Sequence, residues 1–372
     1  MANLSMVPLL INSSRIKYSV LDEIFDGYKI PDQTVNLYID GYYLFYKLYR
    51  SEYEVDIYET SIGQFIKDTV IAVLNTISHY RRYIVTRMRK FNRIFVVFNR
   101  RSPVYQTELI PQYGKTYYEK LYPTHFRYGS INMIVEQAIE MLQDLCNYIE
   151  DIYVIDSRKI EDHITIAYLQ TLYNGFNIYF TRNELVSLLL EEDRSLLLYP
   201  KRDDSYVINS IGYFQKFFSG IKYKPTYLTS KYAKFYFCLS GIKSKSIPPT
   251  CVKGTIKGAK ILDSMIEDNS IDIHTSITNF VSKLPKYLGR ELTKKEESDL
   301  TLLYRAIDIR TASAAMTNAQ KARIHSSLVN LYDQAGLEEL NELVSSEDDV
   351  INLTSLNMNK VREPVSFWNW DE

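Results

Sequence analysis

Short apolar runs alternate along this chain with longer stretches in which apolar residues recur every three or four positions. Val35-Asn36-Leu37-Tyr38-Ile39 is a strand-like run that ends at Asp40 and is followed at once by Gly41 and an aromatic helix start. Thr60 can cap a helix to about Arg89, since Ile62, Phe65, Ile66, Val70, Leu74, Ile77 and Ile84 fall at helical spacing. Arg93-Ile94-Phe95-Val96-Val97-Phe98 is a second run, short and apolar as strands buried in a parallel sheet are. A basic, aromatic connection follows over 100–127, then a helix over about 131–148, a strand at 152–155, a helix over 160–173 and a strand at 176–180. This alternation predicts an α/β domain around a mostly parallel sheet through the first 215 residues.

After Pro225 the pattern changes to short helices around a lysine-rich loop, and from about Ile273 it is helical, with amphipathic stretches at 296–307 and 319–332. The chain then turns acidic (Glu338, Glu339, Glu342, Glu347, Asp348, Asp349) and ends Ser366-Phe367-Trp368-Asn369-Trp370-Asp371-Glu372. The expected divisions are an N-terminal extension at 1–34, the α/β domain at 35–224, a basic helical element at 225–272, a helical region at 273–345 and an acidic aromatic tail at 346–372.

Composition narrows the classes. The formal net charge of −1 over 372 residues gives no global pull toward nucleic acid, so any such signal is local. Cys146, Cys238 and Cys251 are too widely spaced for a disulfide framework or a zinc cluster, and read as reduced, mostly buried thiols. No apolar stretch approaches the ~18 residues of a membrane span, and Met6–Ile11 lacks the basic flank of a signal peptide. The expected location is cytoplasmic, in the host if the source is a phage or virus. A high tyrosine count of 32 with only 13 glycines fits an AT-rich genome, a bias common in phages and other viruses.

A strand followed by a carboxylate and a helix places Asp40 at the carboxyl edge of a parallel sheet, where such folds bind ligands. Three further stretches join it: Val96-Val97-Phe98-Asn99, Lys159-Ile160-Glu161-Asp162-His163-Ile164 and Phe180-Thr181-Arg182-Asn183-Glu184-Leu185. With Tyr38-Ile39-Asp40-Gly41-Tyr42-Tyr43-Leu44-Phe45-Tyr46, their order and spacing resemble the flap-endonuclease family, which includes the 5′-nuclease domain of bacterial DNA polymerase I and the phage ribonuclease H enzymes. The family texts at the last three are Phe-Asp-Gly, Glu-Ala-Asp-Asp-x-Ile and Ser-x-Asp-Lys-Asp-Leu. Leu239-Ser240-Gly241-Ile242-Lys243-Ser244-Lys245-Ser246-Ile247-Pro248, then Lys257-Gly258-Ala259-Lys260-Ile261-Leu262, resembles the family's helix–three-turn–helix and extends the match to about residue 262. The resemblance implies a PIN-like α/β fold, a mostly parallel sheet flanked by helices, with a helix–three-turn–helix and a helical C-terminal region.

It also implies chemistry. Family members hydrolyse phosphodiesters with two divalent ions held by carboxylates, Mg²⁺ or Mn²⁺ being hard cations that need oxygen ligands. Asp40, Glu161, Asp162 and Glu184 are the matching catalytic and metal-ligating acids. Asn99, Lys159, Arg182 and Lys245 stand where the family has acids. Eight acids would give about −8, whereas four acids and three bases leave about −1 before any metal enters. The expected arrangement is therefore a metal-free ion-pair network, with Arg182 and Lys159 holding Asp40, Asp162 and Glu184. Two alternatives keep an active site: Asp156 as a displaced ligand, or a single metal on Asp40, Glu161 and Asp162 completed by waters.

Between Leu239 and Leu262 lie Lys243, Lys245, Lys253, Lys257 and Lys260 without one acid, a set suited to gripping consecutive phosphates. In the family this element binds duplex DNA and a K⁺ ion, and here Pro249 replaces its usual glycine. Arg100, Arg101, Lys115, Lys120 and Arg127 alternate with Tyr105, Tyr113, Tyr117, Tyr118 and Tyr122, a mixture that suits single strands or, equally, packing. The family's arch lies in this region. His125 and His163 read as structural. Trp368 and Trp370 sit in the acidic tail as candidate anchors for a protein partner, or for this protein's own surface. The favoured reading is a flap-endonuclease-like DNA-binding protein with catalysis lost or reduced, in phage or viral replication, repair or complex assembly. An active Mg²⁺-dependent structure-specific 5′ nuclease and a structural subunit without DNA are the alternatives.

Overall fold

A computed structural model describes residues 34–41, 43–44, 70–71, 73–75, 77–78, 92–99, 103–114, 131–147, 149, 151–201, 204–218 and 221–328. Among the described residues six strands form one sheet in the order β3-β2-β1-β4-β5-β6. They are β1 (Val35–Asp40), β2 (Asn92–Phe98), β3 (Ile152–Asp156), β4 (Phe176–Phe180), β5 (Ser195–Lys201) and β6 (Asp204–Ile208). The first five run parallel, and β6 pairs antiparallel on the edge. Every residue of β1 is buried, as a central strand covered on both faces requires. The amide nitrogen of its buried Asn36 is held locally: Nδ2 donates to Tyr173 O and to Asn177 Oδ1, both at 3.2 Å.

The chain leaves β1 toward β2 and β3, then returns to β4 on the other side of β1. The carboxyl ends of β1 and β4 thus form a topological switch point, the crevice in which open α/β sheets place their ligands. Register brings Ile39 opposite Phe180, so Asp40 and Thr181 emerge side by side at that crevice.

The helices are α1 (Val104–Leu109), α2 (Ile131–Cys146), α3 (Asp162–Leu172), α4 (Tyr213–Phe217), α5 (Ala233–Ser240), α6 (Thr255–Glu267), α7 (Ile277–Leu288), α8 (Lys294–Ile307), α9 (Ile309–Ala314) and α10 (Asn318–Ser326). Two expectations are corrected here. The sequence reading has no strand beyond residue 180, yet β5 and β6 complete the sheet. The 100–127 connection contains α1, docked on α8 through Gln106 Nε2 donating to Ala306 O at 3.1 Å. The helix expected over 60–89 lies mostly outside the described residues. Thr293 and Glu296 form a capping box at the start of α8. One apolar core runs from Tyr38 in the sheet to Ile324 in α10, so the C-terminal helices pack onto the α/β layer. Among the described residues no helix is long and apolar enough to cross a membrane.

Candidate functional site: a buried acid–lysine cluster at the sheet edge

Asp40 closes β1 and turns its carboxylate back on the next segment. Its Oδ1 accepts the Tyr43 N–H at 2.9 Å, the role of an N-cap, and its Oδ2 accepts from Thr181 Oγ1 at 2.8 Å. Gly41 is required beside it, because a Cβ there would meet the Phe98 ring at 2.3 Å. Glu161 is the N-cap residue of α3 and Asp162 opens its first turn, where the helix dipole favours negative charge. Asn99, directly after β2, is also buried. Asp40, Glu161 and Asp162 are all buried, and they influence one another electrostatically.

The cation among them is Lys245. Its ammonium lies 2.8 Å from Glu161 Oε1, with 2% of its own side chain and none of the glutamate's exposed. Lys245 closes a short 3-10 turn (Lys243–Lys245) after α5. The turn is drawn inward by reciprocal backbone hydrogen bonds between Ile242 and Ile247, at 2.9 and 3.0 Å. Gly241 makes this possible with φ 71°, since a Cβ would lie 2.3 Å from Ile247 O. The same turn is tied twice more. Ser244 donates from its N–H at 3.1 Å and its hydroxyl at 2.7 Å to Glu184 Oε1, and Gly114 N–H donates to Lys245 O at 2.7 Å. Tyr113, beside Gly114, is buried against the acids.

The cation on the acids is thus Lys245, where Arg182 and Lys159 were expected. Arg182 is exposed, its guanidinium 5.1 Å over the Tyr43 ring. The cause is alternation past the end of β4: Thr181 faces Asp40, so the next side chain points away. Lys159 is exposed too, on a left-handed backbone with φ 66°. Glu184 is held by Ser244, not by an arginine. Lys245, counted at the sequence level among phosphate-gripping lysines, is buried on Glu161 and turned away from solvent. Asp156, the alternative ligand, bonds Arg158 Nε at 2.8 Å and lies 3.5 Å from Arg323.

Burial raises the Asp40 carboxyl above its ordinary range, and the hydrogen bonds from Tyr43 and Thr181 and the Lys245 charge oppose it. Burial, then Asp40 and Glu161, push Asp162 well above the usual carboxylate range. Burial also raises Glu161, but Lys245 and His163 outweigh it and bring the carboxyl down to about 2. The direction is clear in each case: Glu161 is ionised against Lys245, while Asp162 favours its proton. His163 Nδ1 sits 3.8 Å from Glu161 Oε2, fully buried, as a structural histidine.

Much of this donor set is already committed, while Asp162 Oδ1 is buried with no hydrogen-bond partner among the described residues. One Glu161 oxygen is on an ammonium, Glu184 Oε1 accepts from the Ser244 turn, and both Asp40 oxygens already accept hydrogen bonds. Among the described residues no three His, Cys, Asp or Glu side chains are grouped to hold a metal ion.

Of the lysines proposed for phosphate contact, Lys243 on the turn, Lys253 in the loop before α6, and Lys257 and Lys260 on α6 are exposed. Arg100, Arg101, Lys115, Arg127, Trp368 and Trp370 lie outside the described residues. Sequence reasoning missed Thr181, Ser244 and the inward course of Lys245. The paired isoleucines 242 and 247, flanking a lysine–serine turn, were the available signal.

No protein-family model matches the chain, and no curated protein matches it. Solved structures do. The chain is similar to the bacteriophage T5 D15 protein co-crystallised with metal ions, at TM-score 0.50 and 15% identity over 80% of this chain and 99% of that one. It is similar also to the T5 D15 flap endonuclease in a pseudo-enzyme–product complex with DNA and metal ions, at TM-score 0.50 and 15% identity over 79% and 98%. A zinc-bound T5 5′-exonuclease matches at TM-score 0.50 and 14% identity over 80% and 99%. The PIN-like α/β fold, a mostly parallel sheet flanked by helices, is therefore the fold of these nucleases.

Proposed function

We propose that this chain is a flap-endonuclease-like DNA-binding protein in which phosphodiester hydrolysis is lost or much reduced. It would bind duplex or branched DNA independently of sequence, in the cytoplasm, as part of phage or viral replication, repair or complex assembly. The observation that carries the loss of hydrolysis is the Lys245 ammonium on Glu161 in the crevice between β1 and β4. A fixed cation there already satisfies charge that a divalent ion would otherwise balance, and a second positive charge close by is repelled.

DNA binding is supported by the exposed Lys243 on the turn, Lys253 before α6 and Lys257 and Lys260 on α6, and by the fold's likeness to a nuclease solved with DNA. Such contacts read phosphates, not bases. Glu161 and Glu184 then serve to hold the turn that presents Lys243, through Lys245 and Ser244.

Fluorescence anisotropy of a labelled duplex in EDTA, read at rising salt, tests the binding half. The expected result is binding that weakens steeply and linearly on a log–log plot. No binding at low salt would overturn it.

A further inference from the structure

We infer that α4, residues 221–228 and the adjoining face of α6 form a docking surface for single-stranded nucleic acid next to the duplex-binding lysines. The inference rests on the DNA-binding reading above and assigns residues that reading does not use.

Four large apolar side chains are exposed between residues 211 and 227: Ile211, Phe217, Ile221 and Tyr227, the two aromatic ones, Phe217 and Tyr227, at 41% and 44%. Ordinary packing does not leave such a cluster in water without cost, and clustered exposure marks an interaction site. Lys222 and Lys224 are exposed between them. This stretch is fixed directly to α6. The Asp263 carboxylate accepts the N–H groups of Thr226, Tyr227 and Leu228 at 2.8, 2.7 and 2.8 Å, and the Tyr223 hydroxyl at 3.1 Å. The Lys260 ammonium lies 5.4 Å from the centre of the Tyr223 ring. Lys222 and Lys224 therefore continue the basic row Lys253, Lys257 and Lys260.

The occupant follows from charge and shape. The acids at this surface are Asp263, occupied by three amides and a hydroxyl, and Glu267, which accepts from the Tyr227 hydroxyl at 3.4 Å. Five lysines against those two leave a net positive surface, complementary to a polyanion. Exposed rings between lysines match the way single strands are held, with bases stacked on aromatics and phosphates on cations. A duplex, its bases already stacked, would use the lysines and leave Phe217 and Tyr227 idle. The rings sit on a rigid platform: Phe217 stacks on Tyr213 at 6.1 Å, and Phe218 packs edge-on to Tyr223 at 6.0 Å.

The test compares a blunt duplex with the same duplex carrying an oligo(dT) tail, using the full chain in EDTA. Wild type is expected to bind the tailed duplex about tenfold more tightly. Phe217→Ala with Tyr227→Ala, all lysines intact, should erase that preference, leave the blunt-duplex affinity within about threefold and keep a cooperative melt; Phe217→Trp with Tyr227→Trp should retain the preference. Equal binding of tailed and blunt duplex by a wild type that binds both would overturn this inference alone. Failure to bind either would overturn the DNA-binding reading as well. Competition by polyglutamate as effective as by oligo(dT) would reassign the surface to an acidic protein partner and overturn the inference.

Discussion

Lys245 Nζ and Glu161 Oε1 are 2.8 Å apart, and solvent reaches neither side chain to any useful extent. The pair joins two parts of the chain that are 84 residues apart, the start of α3 and the turn after α5 (245 − 161). It converts a sheet-edge carboxylate into an anchor for the lysine-bearing turn.

Removing one partner of such a pair is costly because the other charge remains buried alone. Lys245→Met is expected to destabilise the protein by about 3–5 kcal/mol. Adding Glu161→Leu to it should recover much of that loss, since an apolar pair of similar volume avoids the desolvation of both ions. Chemical denaturation of the two variants and the wild type measures this. A double variant no more stable than Lys245→Met would contradict the pairing.

The acid limb of stability follows from Glu161. Burial raises this carboxyl, but Lys245 dominates and sets it at about 2, below its ordinary 4.5. A depressed carboxyl stabilises the fold fully above the ordinary value, and the contribution is lost as pH falls from 4.5 toward 2. The loss should be on the order of 3 kcal/mol. Unfolding free energy measured across this window should show a decline that is absent in Lys245→Met.

Asp162 acts with the opposite sign. Burial, Asp40 and Glu161 raise it above its ordinary 3.8, so ionising it opposes folding and stability falls as pH climbs past that value. Asp162→Asn, which mimics the protonated form, should melt higher than wild type at pH 7 and about equal to it below pH 3.8. Melting curves at several pH values decide the matter; an equal or lower midpoint for the variant at pH 7 contradicts the assignment.

Gly241 controls the path of the turn. Its φ of 71° and ψ of −177° belong to a region open essentially to glycine, and a Cβ would lie 2.3 Å from Ile247 O. Gly241→Ala should cost at least about 1–3 kcal/mol and weaken duplex binding, because the turn presents Lys243. Full duplex affinity in a destabilised Gly241→Ala protein would separate the turn from DNA binding.

For the phosphate contacts, Lys253→Ala and Lys257→Ala are each expected to lower the slope of log affinity against log salt by about 1. An unchanged slope in both would place the phosphates elsewhere.

What the sequence made legible is physically uneven. β1 to β4 stand out because a parallel strand covered on both faces must be almost wholly apolar. β5 did not, because Ser195-Leu196-Leu197-Leu198-Tyr199-Pro200-Lys201 is rich in leucine, which also suits helices, and ends near a proline tolerated beside the sheet edge. α1, at six residues, is too short to show a period. Asp40 was readable because a carboxylate at a strand end has a fixed position, and Glu161 and Asp162 were readable through the resemblance of their stretch to the flap-endonuclease motif. Lys245 was not, because nothing in Lys-Ser-Lys-Ser distinguishes it from the exposed Lys243. The difference arises from backbone geometry, a glycine at 241, a left-handed Ser246 with φ 59° and the Ile242–Ile247 bridge, and none of these leaves a periodic trace.

The most direct measurement is single-turnover cleavage of a 5′-flap DNA substrate by excess protein, in Mg²⁺ and in Mn²⁺, with Asp162→Asn as control. With Lys245 seated on Glu161, the expected result is bound substrate and no metal-dependent product above the control. Metal-dependent cleavage by the wild type, abolished by Asp162→Asn, would contradict the account.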